Sequence, residues 1–272
     1  MKSSKPFVIF LKGSNKKSMI TLKSPREIVL MREAGRIVAS VFDALKPHIK
    51  PGVTTKELNR IAEKTIRDQG AIPSFLGYGG FPASICTSVN EVLVHGIPNN
   101  KPLKEGDIIS VDVGAIYKGY NGDAARTYAV GKISDEAARL VRVTEESFFE
   151  AIKIIKPGIH LSDISHTIQE YCEKHGYSLP RDYTGHGIGT EMHEDPAIPN
   201  YGLPGHGPIL KEGMCLAIEP MVAMGKYDTR VMSDEWTVKM VDGKLASHYE
   251  NTIVVTKDGA EILTLESNKK EC

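Results

Sequence analysis

Two acids stand inside apolar runs that read as β-strands, where an unpaired carboxylate is costly. Asp112 lies in Ile109-Ser110-Val111-Asp112-Val113-Gly114, and Glu219 follows Met214-Cys215-Leu216-Ala217-Ile218. Strand alternation puts Ile109, Val111 and Val113 on one face of the first run and Ser110, Asp112 and Gly114 on the other. In the second run it separates Met214, Leu216 and Ile218 from Cys215, Ala217 and Glu219. Each acid thus shares its face with small residues, which leaves space beside the carboxylate for something other than protein. Asp123 follows a hairpin signal, and Glu250 sits in the β-prone run His248-Tyr249-Glu250-Asn251-Thr252-Ile253-Val254-Val255. A turn at Lys118-Gly119 sets Asp123 close to directly opposite Asp112, whereas a two-residue Asn121-Gly122 loop sets it across from Tyr120; both stay open. Like charges directly opposite are destabilising, so opposition requires a neutralising cation.

Three histidines join the acids. His186 is framed by glycines in Gly185-His186-Gly187-Ile188-Gly189, His193 stands in Met192-His193-Glu194-Asp195-Pro196, and His95 in Val94-His95-Gly96-Ile97-Pro98. His206 has similar glycine flanks but no acid partner, so Gly-His-Gly alone is weak. Two Asp, two Glu and one His make a hard, oxygen-rich set with four negative charges. Two divalent ions about 3.5–4 Å apart would neutralise it, which is the arithmetic of a two-metal hydrolytic site. Mn, Fe, Co or Zn suit such mixed O/N surroundings, and thiolate-seeking metals do not.

An internal repeat supplies the frame for these residues. Lys50-Pro51-Gly52-Val53 recurs as Lys156-Pro157-Gly158-Ile159, and Leu103-Lys104-Glu105-Gly106 as Leu210-Lys211-Glu212-Gly213. In this alignment Asp112 falls on Glu219, so two halves related by a pseudo-dyad each deliver a carboxylate. Helical patterns cover about 24–48, 54–70, 134–156 and 160–176, with starts at Ser24-Pro25 and Ser134 and stops at Gly70 and Gly176. Strand patterns cover 82–95, 107–117, 123–130, 214–224, 235–240, 245–256 and 260–264, with turn signals at Asn121-Gly122, Asp242-Gly243 and Asp258-Gly259. Helix pairs followed by antiparallel strands, twice over, predict an α+β fold with helices on one face of a curved sheet. The expected organisation is a basic extension over 1–22 and one domain over 23–272, its halves about 23–133 and 134–266.

The chain has 272 residues, 41% of them hydrophobic and 25% charged, which places it among ordinary globular proteins with an adequate core. Lys plus Arg and Asp plus Glu are both 34, and that balance argues against a protein built to bind DNA. Cys86, Cys172, Cys215 and Cys272 are too scattered for a redox pair or a thiolate zinc site. The apolar run Phe7 to Leu11 is too short for a secretory signal, and no stretch is long enough to span a membrane, so the expectation is a cytoplasmic monomer.

The strings Asn90-Glu91-Val92-Leu93-Val94-His95-Gly96-Ile97-Pro98, Ser110-Val111-Asp112-Val113-Gly114, Asn121-Gly122-Asp123, Gly185-His186-Gly187-Ile188-Gly189, Met192-His193-Glu194-Asp195-Pro196, Ile218-Glu219-Pro220 and Tyr249-Glu250-Asn251-Thr252 together resemble type I methionine aminopeptidases. The match runs in order from about Ser24 to Thr264. The resemblance implies the pita-bread fold, two pseudo-symmetric halves with a curved antiparallel sheet covered by helices. It implies that Asp112, Asp123, His186, Glu219 and Glu250 ligate two divalent metals. Water activated by those ions would attack the carbonyl after an initiator methionine while Glu219 takes its proton. His95 and His193 would contact the peptide at the scissile bond, stabilising the tetrahedral intermediate and helping to protonate the leaving amine. The substrates so implied are nascent polypeptides and peptides with a small second residue. The methionine pocket maps to Tyr78, Phe81, Cys86 and Trp236, with Met192 and Phe75 beside it; sulfur-bearing apolar walls suit a thioether, and Phe75 reads as ordinary core.

This chain departs from the pattern in places. Gly114 stands where many members carry a hydroxyl residue, Met192 where an aromatic is common, and the stretch 200–208 differs from the commonest bacterial members. The resemblance leaves room for a monovalent cation near Asn90. The extension carries Lys2, Lys5, Lys12, Lys16 and Lys17 but lacks the cysteine-rich zinc motif of longer relatives; a solvated tail and a transient ribosome contact are its two readings. Proline-specific relatives usually carry an extra N-terminal domain and type II methionine enzymes a helical insertion, and neither has a counterpart here. A pita-bread binding protein that had lost catalysis should have lost ligands, and all five are present.

Overall fold

The computed structural model of the chain describes residues 19–266; of the expected basic extension only 19–22 fall within them. Four α-helices form where the periodicity places them: α1 (Pro25–Leu45), α2 (Thr55–Asp68), α3 (Asp135–Ile154) and α4 (Leu161–Lys174). Ser24 opens α1 with a capping box, its hydroxyl accepting from the Glu27 N–H while the Glu27 carboxylate accepts from the Ser24 N–H, and Ser134 opens α3 on the Ala137 N–H. α1 ends three residues before the expected 48, because Pro47 has no N–H to continue the ladder and residues Lys46–His48 tighten into a 3-10 turn. α2 and α4 close alike, Ala71 N–H reaching back to Ile66 C=O and Tyr177 N–H to Cys172 C=O.

The repeat is visible in hydrogen bonds. Gly52 N–H donates to Leu103 C=O at 2.8 Å and Leu103 N–H to Val53 C=O at 2.8 Å; Gly158 N–H donates to Leu210 C=O at 3.0 Å and Leu210 N–H to Ile159 C=O at 2.8 Å. Each Lys-Pro-Gly turn thus clamps its own Leu-Lys-Glu-Gly segment, and the strand with the acid follows directly.

The strands in the first half are β1 (Ile72–Pro73), β2 (Ile85–Val89), β3 (Val92–Val94), β4 (Ile108–Tyr117) and β5 (Tyr120–Ala129). The second half contributes β6 (Thr184–Gly187), β7 (Glu194–Pro199), β8 (Cys215–Ile218), β9 (Met221–Ala223), β10 (Thr229–Val231), β11 (Val238–Met240), β12 (Ala246–His248), β13 (Glu250–Val255) and β14 (Ala260–Ile262). The main sheet runs β1-β4-β5-β13-β8-β6-β7, with β2 added to β4 and β14 to β13, and every pair is antiparallel. One face packs under the helices: Ile109, Val111 and Val113 of β4 join α1 and α2, and Leu216, Ile218, Ile253 and Val255 join α3 and α4. The acids therefore occupy the face that the helices leave free.

The hairpin between β4 and β5 turns at Lys118-Gly119, both with positive φ, and pairs Tyr117 with Tyr120. The Asn121-Gly122 turn signal is overturned: both residues lie inside β5. A Cβ on Gly122 would come within 2.8 Å of the Gly35 backbone, so this glycine lets α1 lie against the strand. Among the described residues no helix is long and apolar enough to cross a membrane. Cys86, Cys172 and Cys215 are buried free thiols.

Candidate metal centre and its cleft

Register places the acids in two neighbouring rows across the free face of the sheet. Cys86 of β2 pairs with Asp112 of β4, Asp112 with Ala125 of β5, and Ala125 with Glu250 of β13. One step along, Gly114 pairs with Asp123, and Thr252, Ala217 and His186 line up across β13, β8 and β6. Thr252 joins the segments of that second row: its hydroxyl accepts from the Asp123 N–H and donates to the Asp123 C=O, both at 2.9 Å. Asp112 and Asp123 are therefore diagonal neighbours on one face rather than opposite each other, and small Ala125 separates Asp112 from Glu250. Glu219 follows β8 directly, its C=O held by the Asn200 amide at 2.8 Å.

Like charges in so small a space have a measurable consequence. Burial raises the Asp112 carboxyl to about 6, and burial together with neighbouring acids pushes Asp123, Glu219 and Glu250 well above the ordinary range. Asp112 Oδ1, Asp123 Oδ1 and Glu250 Oε1 are buried with no hydrogen-bond partner. His186 is prepared as a ligand: Nδ1 donates to the Gly187 C=O at 2.9 Å, and burial lowers its pKa to about 4, so Nε2 carries a lone pair. That Nε2 lies 3.8 Å from Asp123 Oδ2 and 3.7 Å from Glu219 Oε1. Two groups have all their ligand atoms within 4.8 Å of one another, Asp123-His186-Glu250 and Asp112-His248-Glu250, and they share Glu250. Orphaned carboxylate oxygens facing a lone-pair nitrogen fit divalent cations.

The centre opens into a cleft lined by Phe75, Phe81, Cys86, His95, Met192, His193 and Trp236 together with the acids. Phe81 and Trp236 meet edge to face with centroids 5.1 Å apart. Burial raises the Cys86 thiol far above its ordinary value, with the acids adding to the effect, so it serves as an apolar wall. His193 lies with its ring centroid 4.3 Å from that of His186. His95 lines the cleft with φ 58°, a backbone conformation uncommon outside glycine. The loop that carries His193 is tied down by Glu194, which accepts from Lys23 Nζ and Thr21 Oγ1.

The structure brings every expected ligand and both histidines into one cleft. Tyr78 packs against the cluster of Phe75, Phe81, Cys86 and Met192, and its hydroxyl meets His193 Nδ1 at 2.9 Å. Phe75, expected as ordinary core, is buried and also forms part of the wall. Two further residues carry the site without having been singled out. His248 sits two positions before Glu250, a spacing that across a strand means the same face. Arg126 donates to the Glu250 C=O and to Asn251 Oδ1, pairs with Glu266, and packs on the Tyr249 ring at 4.5 Å, anchoring the segment that presents both.

A curved antiparallel sheet with helices on one face and a carboxylate–histidine cluster on the other describes a metallohydrolase of the pita-bread class. The pattern of metallopeptidase family M24 matches residues 29–257, and the chain belongs to that family. The chain is 59% identical to a methionine aminopeptidase of Clostridium acetobutylicum, over 91% of this chain and 99% of that protein. It is 57% identical to methionine aminopeptidase 1 of Bacillus subtilis, over 90% and 99%. The crystal structure of methionine aminopeptidase from Rickettsia prowazekii superposes with a TM-score of 0.90 at 48% identity, covering 91% of this chain and all of that one. The pita-bread fold and the family expected from the motifs are both borne out.

Proposed function

We propose that this protein is a metal-dependent aminopeptidase that removes an N-terminal methionine from polypeptides with a small second residue. The observation that carries the reading is the junction of two features in one cleft: ligand groups sharing Glu250, and an apolar wall of Phe75, Phe81, Cys86, Met192 and Trp236 with two sulfur atoms. Asp112, Asp123, His186, Glu219 and Glu250 would hold two divalent ions, which when bound would neutralise the four carboxylates, polarise the scissile carbonyl and lower the pKa of water.

The chain's own groups do the rest. The wall takes the methionine side chain by dispersion and sulfur–aromatic contact and excludes water from the reacting bond. Glu219 stands at the edge of the cluster, more accessible than Glu250, and accepts the proton of the attacking water at its carboxylate before returning it to the leaving amine. His95 and His193 are neutral, their pKa values lowered by burial to about 4 and about 2, so they act as hydrogen-bond donors to the developing oxyanion rather than as cations.

The test is hydrolysis of Met-Ala-Ser and Ala-Pro-Ala by metal-stripped protein with and without Mn or Co. Release of methionine from the first peptide, only with metal, is the expected result. Cleavage of the proline peptide alone would move the chain to a proline-specific activity, and cleavage of neither with metal bound would sink the reading.

A further inference from the structure

His248 presents a buried imidazole to the acids from a fixed backbone. Its N–H lies 3.1 Å from Thr127 Oγ1 and 3.3 Å from Ser110 Oγ, and its C=O accepts from Thr127 Oγ1 at 2.8 Å. The ring is 2% exposed as a residue, and Nε2 makes no hydrogen bond. That nitrogen lies 3.6 Å from Glu219 Oε2 and 3.6 Å from Glu250 Oε2. Both separations are too long for a hydrogen bond, and a buried ring nitrogen left without a partner calls for an explanation. They suit donors around a common ion, since atoms each about 2.1 Å from one metal lie roughly 3–4 Å apart. The ligand atoms of Asp112, His248 and Glu250 meet that condition as a group.

We propose that His248 is an additional protein ligand of the metal centre, donating Nε2 to the ion held by Asp112 and Glu250. The inference rests on the metallopeptidase reading above and adds a sixth residue to its ligand set. With it, each of the two groups contains one imidazole and one Asp, and Glu250 joins them. A position held by carboxylates alone suits hard ions such as Mn; an imidazole donor moves its preference toward Fe, Co and Zn.

The test is titration of metal-stripped protein with Co(II), followed by heat and by the visible d–d absorption. The wild-type chain should bind two equivalents. Partners of metal ligands already contribute about 10–100-fold to affinity, so loss of a direct donor in His248→Gln or His248→Ala should weaken one step by about 100-fold and leave the other in place. The d–d spectrum of the fully loaded protein should change with it, and Mn(II) affinity should fall less. Circular dichroism of the metal-stripped variants checks that they fold. Ring-nitrogen NMR of the wild-type protein during Zn(II) titration needs no variant: the Nε2 signals of both His186 and His248 should shift. Two unchanged steps, an unchanged spectrum and a His248 signal that stays put would overturn the inference while leaving the metallopeptidase reading intact. A wild-type chain that binds no Co(II) would overturn both.

Discussion

His193 works as a donor only if its proton sits on the nitrogen that faces the cleft. The Tyr78 hydroxyl lies 2.9 Å from His193 Nδ1, and in the tautomer that accepts from the phenol the ring proton sits on Nε2. Tyr78 thus packs against the apolar wall with its ring and meets His193 with its hydroxyl. Tyr78→Phe should lower kcat for Met-Ala-Ser roughly three- to tenfold, the worth of one neutral hydrogen bond, with KM little changed. A rise in KM at constant kcat would instead mean that the hydroxyl serves substrate binding and not the His193 tautomer. The sequence makes Asp112 and Glu219 conspicuous because acids alternate with small residues there. It hides the role of Phe75, because an aromatic on a cavity wall and an aromatic in a core have the same neighbours in the chain. The clue to His248 was its i, i+2 spacing to Glu250, which has meaning only once β12 and β13 are known to continue one face.

At the scale of elements, β4 decides how wide the cleft is. Gly114 lies on its site face, and a Cβ there would come within 2.8 Å of both Ser74 Cβ and Phe75 Cε1. A larger residue must push the Phe75 ring, and the ring borders the cleft. Gly114→Ala should cost about 1–3 kcal/mol of stability by overpacking and raise KM for methionine peptides while kcat changes less. Wild-type KM in a destabilised variant would show that Phe75 yields away from the cleft. The strands that were not foreseen are instructive in the same way. β6 is Thr-Gly-His-Gly and β7 contains two prolines, so neither has the β-branched content that marks a strand, and both exist because the sheet edge beside β8 is open to them. The helices were legible because caps and periodicity are local; β1, two residues long, owes its existence to β4 alone.

For the whole molecule, the centre sets an account of charge that the fold must balance. In the metal-free folded chain the four carboxyls hold protons that the unfolded chain has released above about pH 4, so their contribution to stability falls as pH rises until their folded values are passed. His95, His186, His193 and His248, all lowered by burial, act in the opposite direction, because only the unfolded chain binds their protons up to about pH 6.5. Above about pH 6.5 the histidines no longer contribute to the slope, Asp112 has passed its value of about 6, and Asp123, Glu219 and Glu250 remain. The melting temperature of chelated protein should therefore fall between about pH 6.5 and 8.5, and Mn or Co should raise it and abolish the fall. A metal-free melting temperature that climbs over that interval would contradict the assignment of buried, unneutralised acids. The strand order carries a last consequence. β13 joins the halves by pairing with β5 on one side and β8 on the other, yet it follows both of them in chain order. During synthesis both flanking edges must therefore wait unpaired until residues beyond 255 leave the ribosome, and the ligand shared by the two groups arrives with that strand. A nascent chain stalled earlier has neither a closed sheet nor a complete centre, so capture of metal by the full set must follow the emergence of β13.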